Sequence, residues 1–393
     1  MNIFTITLRY LLKRPLPTFL NILLLTLGVG LITLSILVVK HLEQRFTKQS
    51  KGIDLVIGAK GSPLQLILCN IYHIDLPTGN IYWDDAQKIA NNKRYVKKAI
   101  PISVGDSYEG TRIIGTTPEY ISHFEGKMAQ GNIWKKEMEV VVGARVAEEK
   151  KLTIGAKFHS SHGLAEDSTL QHKDHDFVVV GILAYNNTIL DNLILCNLET
   201  IWHVHEHSTK NKMSDEKEIT ALLIQYKNPL AAINLPRIVN AQTNMQAAAT
   251  ALEVARLFRL IGSGEELIRY AAYLLLGVAL LSIFINLWTT LQERSYDIAL
   301  LRSLGASRWK VMQLLFLESF LITFVGLVFA FALAHSSLFL LNGVGGGQIK
   351  FLPTKYYIEE LWLALTVIAS AFLAALLPAL KAYRIDIAKV LAK

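Results

Sequence analysis

Four blocks along the chain are almost wholly apolar, at roughly 16–39, 270–291, 314–341 and 358–380. Each reaches or exceeds the roughly 20 residues that cross a bilayer as a helix. The first and second blocks are separated by residues 40–269, where the pattern changes to short segments. Apolar runs at 54–57, 99–104, 111–115, 139–142, 177–183 and 193–196 predict strands, and 82–90, 118–124 and 145–150 predict short helices. This mixture is that of an α+β domain with a mixed sheet. Polar residues with scattered apolar positions over 42–50, and a helical stripe of Met245, Leu252, Ala255, Leu257 and Leu260, predict two stalk helices leading to and from the spans. Gly262 and Gly264 mark either a hinge or a plain surface kink in the second stalk. Gly61, Ser62 and Pro63 predict a turn.

The insert between the second and third apolar blocks, QERSYDIALLRSLGASRWKV over 292–311, is different in kind. It holds Arg294, Arg302, Arg308 and Lys310 against Glu293 and Asp297, so it cannot lie within a bilayer. Ile298, Leu301 and Leu304 recur at helical spacing, which predicts a short amphipathic helix along the membrane surface, stopped at Gly305.

Composition supports the same division. Hydrophobic residues make up 52% and charged residues 18%, which excludes an all-soluble chain. A net charge of +8 raises nucleic acid as a partner, but the excess clusters at the membrane ends, so no nucleic acid is expected. Arg9, Lys13 and Arg14 precede the first span, and Lys381, Arg384, Lys389 and Lys393 follow the last. The positive-inside rule puts both termini and the insert in the cytoplasm, although Lys40, Arg45, Lys48 and Lys51 on the outer flank of the first span run against it. The first block is too long for a signal peptide core and reads as a retained anchor, with Gly28 and Gly30 permitting close packing on another span. Cys69 and Cys196 are the two cysteines; a disulfide and two buried free thiols are both open.

The expected division is a cytoplasmic segment 1–15, first span 16–39, outer domain with stalks 40–269, second span 270–291, cytoplasmic loop 292–313, third span 314–341, outer loop 342–357, fourth span 358–380 and cytoplasmic tail 381–393.

Two groups of polar residues carry candidate chemistry. Glu318 lies about one turn into the third span, where an ionisable group is either functional or paired structurally with Arg302 or Arg308; His335 sits towards the outer end. Histidines crowd between 159 and 207, as His159/His162, His172/His175 and His203/His205/His207, with Asp174, Asp176 and Glu206 as oxygen donors. On a strand, positions 203, 205 and 207 would share a face and could chelate zinc; the alternative is a solvated polar loop. No nucleotide loop, H-E-x-x-H or nucleophile elbow is present.

With these residues in view, ER-x-x-x-IALLRSLGAS-x-x-x-V at 293–311 resembles the FtsX-like permeases of ABC transporters, the group that includes MacB and the lipoprotein-release permeases LolC and LolE. The segments VVVGARVAEEKKLTIGAKF (140–158) and FVVVGILAYNNTILDNLILCNLETIW (177–202) are similar to the MacB-type periplasmic core domain. Asp297 stands where a glutamate is more usual, and the ATPase domain fused in MacB has no counterpart here.

The resemblance implies four transmembrane helices plus an α+β periplasmic domain on helical stalks, in a bacterial inner membrane. It implies that the insert is a coupling helix docking on a separate cytoplasmic ABC ATPase, through Glu293, Arg294, Asp297, Ile298, Leu301, Arg302, Leu304, Gly305 and Arg308. ATP and magnesium would then belong to that partner, and this chain would be a non-catalytic subunit without a cofactor. A homodimer, or a pairing with a related permease, and a periplasmic adaptor or substrate protein complete the implied assembly. Three roles follow: export, extraction or efflux; a regulatory mechanotransmission scaffold activating a periplasmic hydrolase; and, more remotely, metal-linked transport or sensing through the histidines.

Overall fold

The computed structural model describes residues 3–162, 176–206, 217–344 and 354–384. His172, Asp174, His175 and His207, the 345–353 part of the outer loop, and Lys389 and Lys393 of the tail therefore lie outside the described residues. Two compact units emerge: residues 1–42 with 261–393, and residues 43–260.

The chain begins with α1 (Ile3–Lys13) and α2 (Pro15–Ser50), separated only by Arg14. Pro15 lacks the N–H that would continue the first helix, and its fixed φ suits the first position of the second.

The outer unit follows with β1 (Leu55–Ala59), α3 (Pro63–Asn70), β2 (Ile81–Tyr82), α4 (Trp83–Ala90), β3 (Val96–Tyr108), β4 (Thr111–Thr116) and α5 (Pro118–His123). Next come β5 (Met128–Gly131), β6 (Glu139–Val142), α6 (Ala144–Glu149), β7 (Lys157–Phe158), β8 (Ser161–His162) and β9 (Phe177–Leu183). It closes with β10 (Ile194–Cys196), α7 (Leu198–Glu206), β11 (Glu218–Ile219), β12 (Ala221–Tyr226), α8 (Pro229–Gln242) and β13 (Met245–Ala249). The main sheet runs β13-β1-β12-β3-β4-β10-β6-β9-β5. It is mixed, because β10 lies parallel to β4 and β6 parallel to β9 while the other pairs are antiparallel. Leu55, Ile57, Leu222, Ile224, Leu235 and Val239 form one core at the β1 end, and Ile113, Val140, Val142, Phe177, Val179 and Ile194 a second at the β9 end.

The Gly61–Ser62–Pro63 turn leads straight into a helix: Ser62 Oγ accepts from Gln65 N at 3.4 Å and Pro63 opens α3. Two expectations are corrected here. Residues 245–249 are strand, not stalk helix, although Met-Gln-Ala-Ala-Ala favours helix. Pairing with β1 overrides propensity: Leu55 opposes Ala249 and Ala59 opposes Met245. On the open edge of β13, Asn240 of α8 takes both backbone groups of Ala247, accepting from its N at 2.7 Å and donating to its O at 3.2 Å. Finally, His203 and His205 belong to α7, not to a strand.

Both cysteines are free and buried. Burial pushes the Cys69 thiol up to about 11 and also raises that of Cys196, so neither is a reactive thiolate. His73 is a different buried group, its Nε2 3.0 Å from the Tyr120 hydroxyl. Burial, helped by the Arg112 charge, pushes its pKa down from 6.5 to about 3. The unfolded chain therefore binds a proton that the folded one refuses. The stability from a neutral His73 is complete above about pH 6.5 and is lost as pH falls towards 3. Between pH 7.5 and pH 5 this group is expected to remove about 2 kcal/mol. Chemical unfolding at the two pH values checks it: in His73→Asn that share of the pH dependence disappears, and an unchanged slope refutes the assignment.

The second unit contains the first part of α2, most of α9 (Thr250–Glu293), then α10 (Ser295–Ser303), α11 (Arg308–Val344) and α12 (Ile358–Tyr383). Four helices here, α2, α9, α11 and α12, are long and apolar enough to span a membrane. Helix α9 continues unbroken through Gly262 and Gly264. The small residues of α2 seat it closely: a Cβ on Gly28 would lie 3.1 Å from Leu276 N of α9, and one on Gly30 would lie 3.4 Å from Ala330 O of α11.

Candidate functional site

The α9–α10–α11 junction is built by three local signals. Helix α9 ends at Glu293, and Arg294, at φ −103° and ψ 13°, starts α10 as Ile298 N donates to its carbonyl at 2.9 Å. Gly305, at φ +96°, stops the segment in the left-handed conformation that favours glycine. Ser307 Oγ then accepts from Lys310 N at 3.3 Å, capping α11.

Helix α10 has two faces. Ala299 is fully buried and Ile298 is 8% exposed, packed with Leu11, Leu291, Val311 and Leu315 in the bundle core. On the other side Tyr296, Leu300 and Leu304 are 58%, 46% and 78% exposed, at i, i+4 and i+8, and Trp309, at the start of α11, is 57% exposed. This corrects the sequence-derived stripe: Ile298 and Leu304 do not share a face. Ile298 seats the helix in the bundle core. Tyr296, Leu300 and Trp309 were missed because periodicity finds apolar spacing but not which side the bundle covers. The side chains of Asp297 and Leu301 lie outside those described.

The charges around the helix are engaged. Arg14 pairs with Glu293 and donates to Thr290 Oγ1 at 3.4 Å. Three cations lie over aromatic rings: Arg294 over Tyr10 at 3.8 Å, Lys381 over Trp288 at 3.7 Å and Arg308 over Tyr383 at 5.7 Å. Arg302 is half-buried on the last turn of α10. Tyr10, Arg294, Ile298, Val311 and Leu315 help to line a small apolar cleft beneath α10.

Glu318 is 3% exposed, and its Oε2 makes no hydrogen bond among the described residues. The cations acting on it are Arg294 and Arg14, not Arg302 or Arg308. His335 pairs with Glu360 at 3.0 Å, linking α11 to the first turn of α12.

The strand face on which His203, His205 and His207 would have chelated zinc is replaced by a helix that carries the first two. His203 lies on α7 with Nδ1 3.6 Å from Glu137 Oε2. His205 is two residues further along the same helix, its side chain outside those described, and His207 lies beyond the described residues. At about 100° per residue, His203 and His205 fall on nearly opposite sides of a helix, so the shared strand face expected for chelation does not exist. Among the described residues no group of three or more His, Cys, Asp or Glu is arranged to hold a metal.

Two sequence families match. One described as FtsX-like permease C-terminal covers residues 270–387, and one described as MacB-like periplasmic core domain covers residues 18–251. Among solved structures, the periplasmic region of MacB from Actinobacillus actinomycetemcomitans is similar at 13% identity and a TM-score of 0.36, over 55% of this chain and 98% of that one. A domain described as part of a permease protein from Porphyromonas gingivalis is similar at 13% identity and a TM-score of 0.28, over 50% and 88%. Comparison with curated proteins gives no match.

Proposed function

The chain belongs to the permeases that join a MacB-like periplasmic core domain to an FtsX-like membrane region, and from that premise we propose that it couples to a separate cytoplasmic ABC ATPase through α10. The family is one of ABC-transporter membrane subunits, and the chain is a multi-pass membrane protein. The observation that carries the finer reading is the row Tyr296, Leu300 and Leu304, exposed on a helix whose opposite face is anchored in the bundle. An apolar row of this spacing fits a groove in a partner, and Arg302 beside it suits acidic groups at the groove's rim.

In this reading ATP and magnesium are handled by the ATPase, and this chain contributes contacts instead of catalysis. Closure of an ATPase dimer displaces α10, the displacement passes to α9 and α11 on either side of it, and the outer unit moves to export, extract or expel a substrate. Two permease halves are needed to match two ATPases, as a homodimer or with a related chain. The basic residues flanking the spans support an inner-membrane protein with both termini in the cytoplasm.

The test is hydrolysis by an ABC ATPase co-reconstituted with the chain in vesicles. Turnover above that of the ATPase alone is expected, and identical turnover overturns the proposal.

A further inference from the structure

Helix α1 plays no part in the reading above, yet its residues divide into three faces. Thr7 and Leu11 are buried, with Tyr10 and Arg14 half-buried on the same side. Phe4, Leu8 and Leu12, at i, i+4 and i+8, form an exposed apolar row, which Leu16 and Phe19 continue at the start of α2. Arg9 and Lys13 are exposed next to that row. An apolar face beside a basic one, running after a single residue into a membrane span, is the arrangement of a helix lying in the headgroup boundary.

The protein-facing side of α1 is joined to the start of the coupling helix. The Tyr10 ring lies 3.8 Å from the Arg294 guanidinium, and Arg294 is the residue from which α10 begins. Arg14, the link to α2, pairs with Glu293 and reaches Thr290 on the last turn of α9. Helix α10 is nine residues long, short of the roughly 12–15 residues at which an isolated helix begins to hold, so its placement depends on its contacts. The entry to α10 is thus held at two consecutive residues, Glu293 at the end of α9 and Arg294 at the cap of α10, by Arg14 and Tyr10.

We propose that α1 is a membrane-surface brace for the coupling helix, with Tyr10 and Arg14 as positioning residues and bilayer lipid as the occupant of the Phe4–Leu8–Leu12 face. The consequence for ATPase coupling rests on the docking role of α10, whereas the brace itself does not. A displacement applied to α10 is resisted at its start, so it is carried into α9 and α11 instead of dissipating as a tilt of α10 alone.

The test is amide hydrogen exchange across residues 295–303 in the full chain, reconstituted in vesicles of phosphatidylethanolamine and phosphatidylglycerol with no ATPase present. Tyr10→Leu is expected to exchange roughly 5-fold faster there, while Tyr10→Phe, which keeps the ring face, stays at the wild-type rate. Arg14→Glu is expected to loosen α10 as well, and adding Glu293→Arg to restore it. Leu8→Asp with Leu12→Asp, which leaves the gripping face intact, is expected to give the same loosening. Wild-type exchange in Tyr10→Leu, or loosening in Tyr10→Phe equal to that in Tyr10→Leu, overturns the positioning role. Wild-type exchange in the Leu8/Leu12 variant overturns the lipid contact. Because no ATPase is present, these outcomes are independent of whether α10 docks on one.

Discussion

Changing Leu300 and Leu304 together to aspartate is expected to return ATP hydrolysis in the co-reconstituted complex to the rate of the ATPase alone. Both side chains are exposed in this chain, so the substitutions leave the bundle core untouched and cost its folding within about 0.5 kcal/mol. Against a partner's groove the same changes remove two apolar anchors and bury two carboxylates. Loss of one anchor at the centre of an interface costs about 2 kcal/mol or more, so two weaken docking by roughly a thousandfold. Ile298→Asp provides the contrast. It forces a charge into the core beside Leu291, Val311 and Leu315, so it is expected to lower the stability of the chain itself. If stimulated hydrolysis survives in the Leu300/Leu304 variant, the exposed row of α10 is not the docking face.

In the outer unit, Gly143→Ala is expected to destabilise by about 2–3 kcal/mol. Gly143 follows β6 and caps α6 with an ordinary extended backbone, φ −65° and ψ 149°, so conformational freedom is not what the position requires. Space is. A Cβ there would sit 2.1 Å from Leu190 O and 2.6 Å from the carbonyl carbon of Asp191, and backbone cannot swing aside as a side chain does. Gly155 is the useful comparison, at φ +85° with nothing within 4 Å of a Cβ. Gly155→Ala therefore incurs only the left-handed strain, about 1 kcal/mol. Thermal unfolding of the detergent-solubilised chain, followed by a probe in the outer unit, separates the two. A midpoint for Gly143→Ala at or above that of Gly155→Ala contradicts the close approach.

What was legible in the sequence depended on how local its cause was. The four apolar helices and the charged insert were readable because a bilayer imposes a length on any segment that crosses it. β9 was readable from 177–183 because FVVVGIL is a short apolar run rich in β-branched residues, and its burial alternates along the strand. The start of α9 was not. MQAAATALEVARL reads as one helix, and only the neighbouring β1 and the Asn240 side chain turn its first five residues into a strand. HVHEH alternates like a strand, but Leu198, Ile201 and Val204, at helical spacing, are the residues that go into the core, and His203 and His205 follow the helix they set.

The candidate site shows the same limit. Its location followed from charge, whereas the outward face of α10 depends on α1 and α11, whose positions no local pattern encodes. The same holds for Glu318. Arg302 and Arg308 are nearer in sequence, but Arg294 and Arg14 are the cations that bear on it.

The pairing of β1 with β13 has a mechanical meaning for the two long helices. Helix α2 ends at Ser50, with four residues between it and β1, and α9 begins at Thr250, directly after β13. The strands oppose each other over five residues, and Thr250 N donates to Asp54 O at 3.1 Å beside them. Sliding one helix end past the other would break this ladder, at about 1 kcal/mol for each hydrogen bond. The last turn of α2 and the first turn of α9 are therefore yoked. Neither helix end can shift along its axis without carrying the other's strand with it.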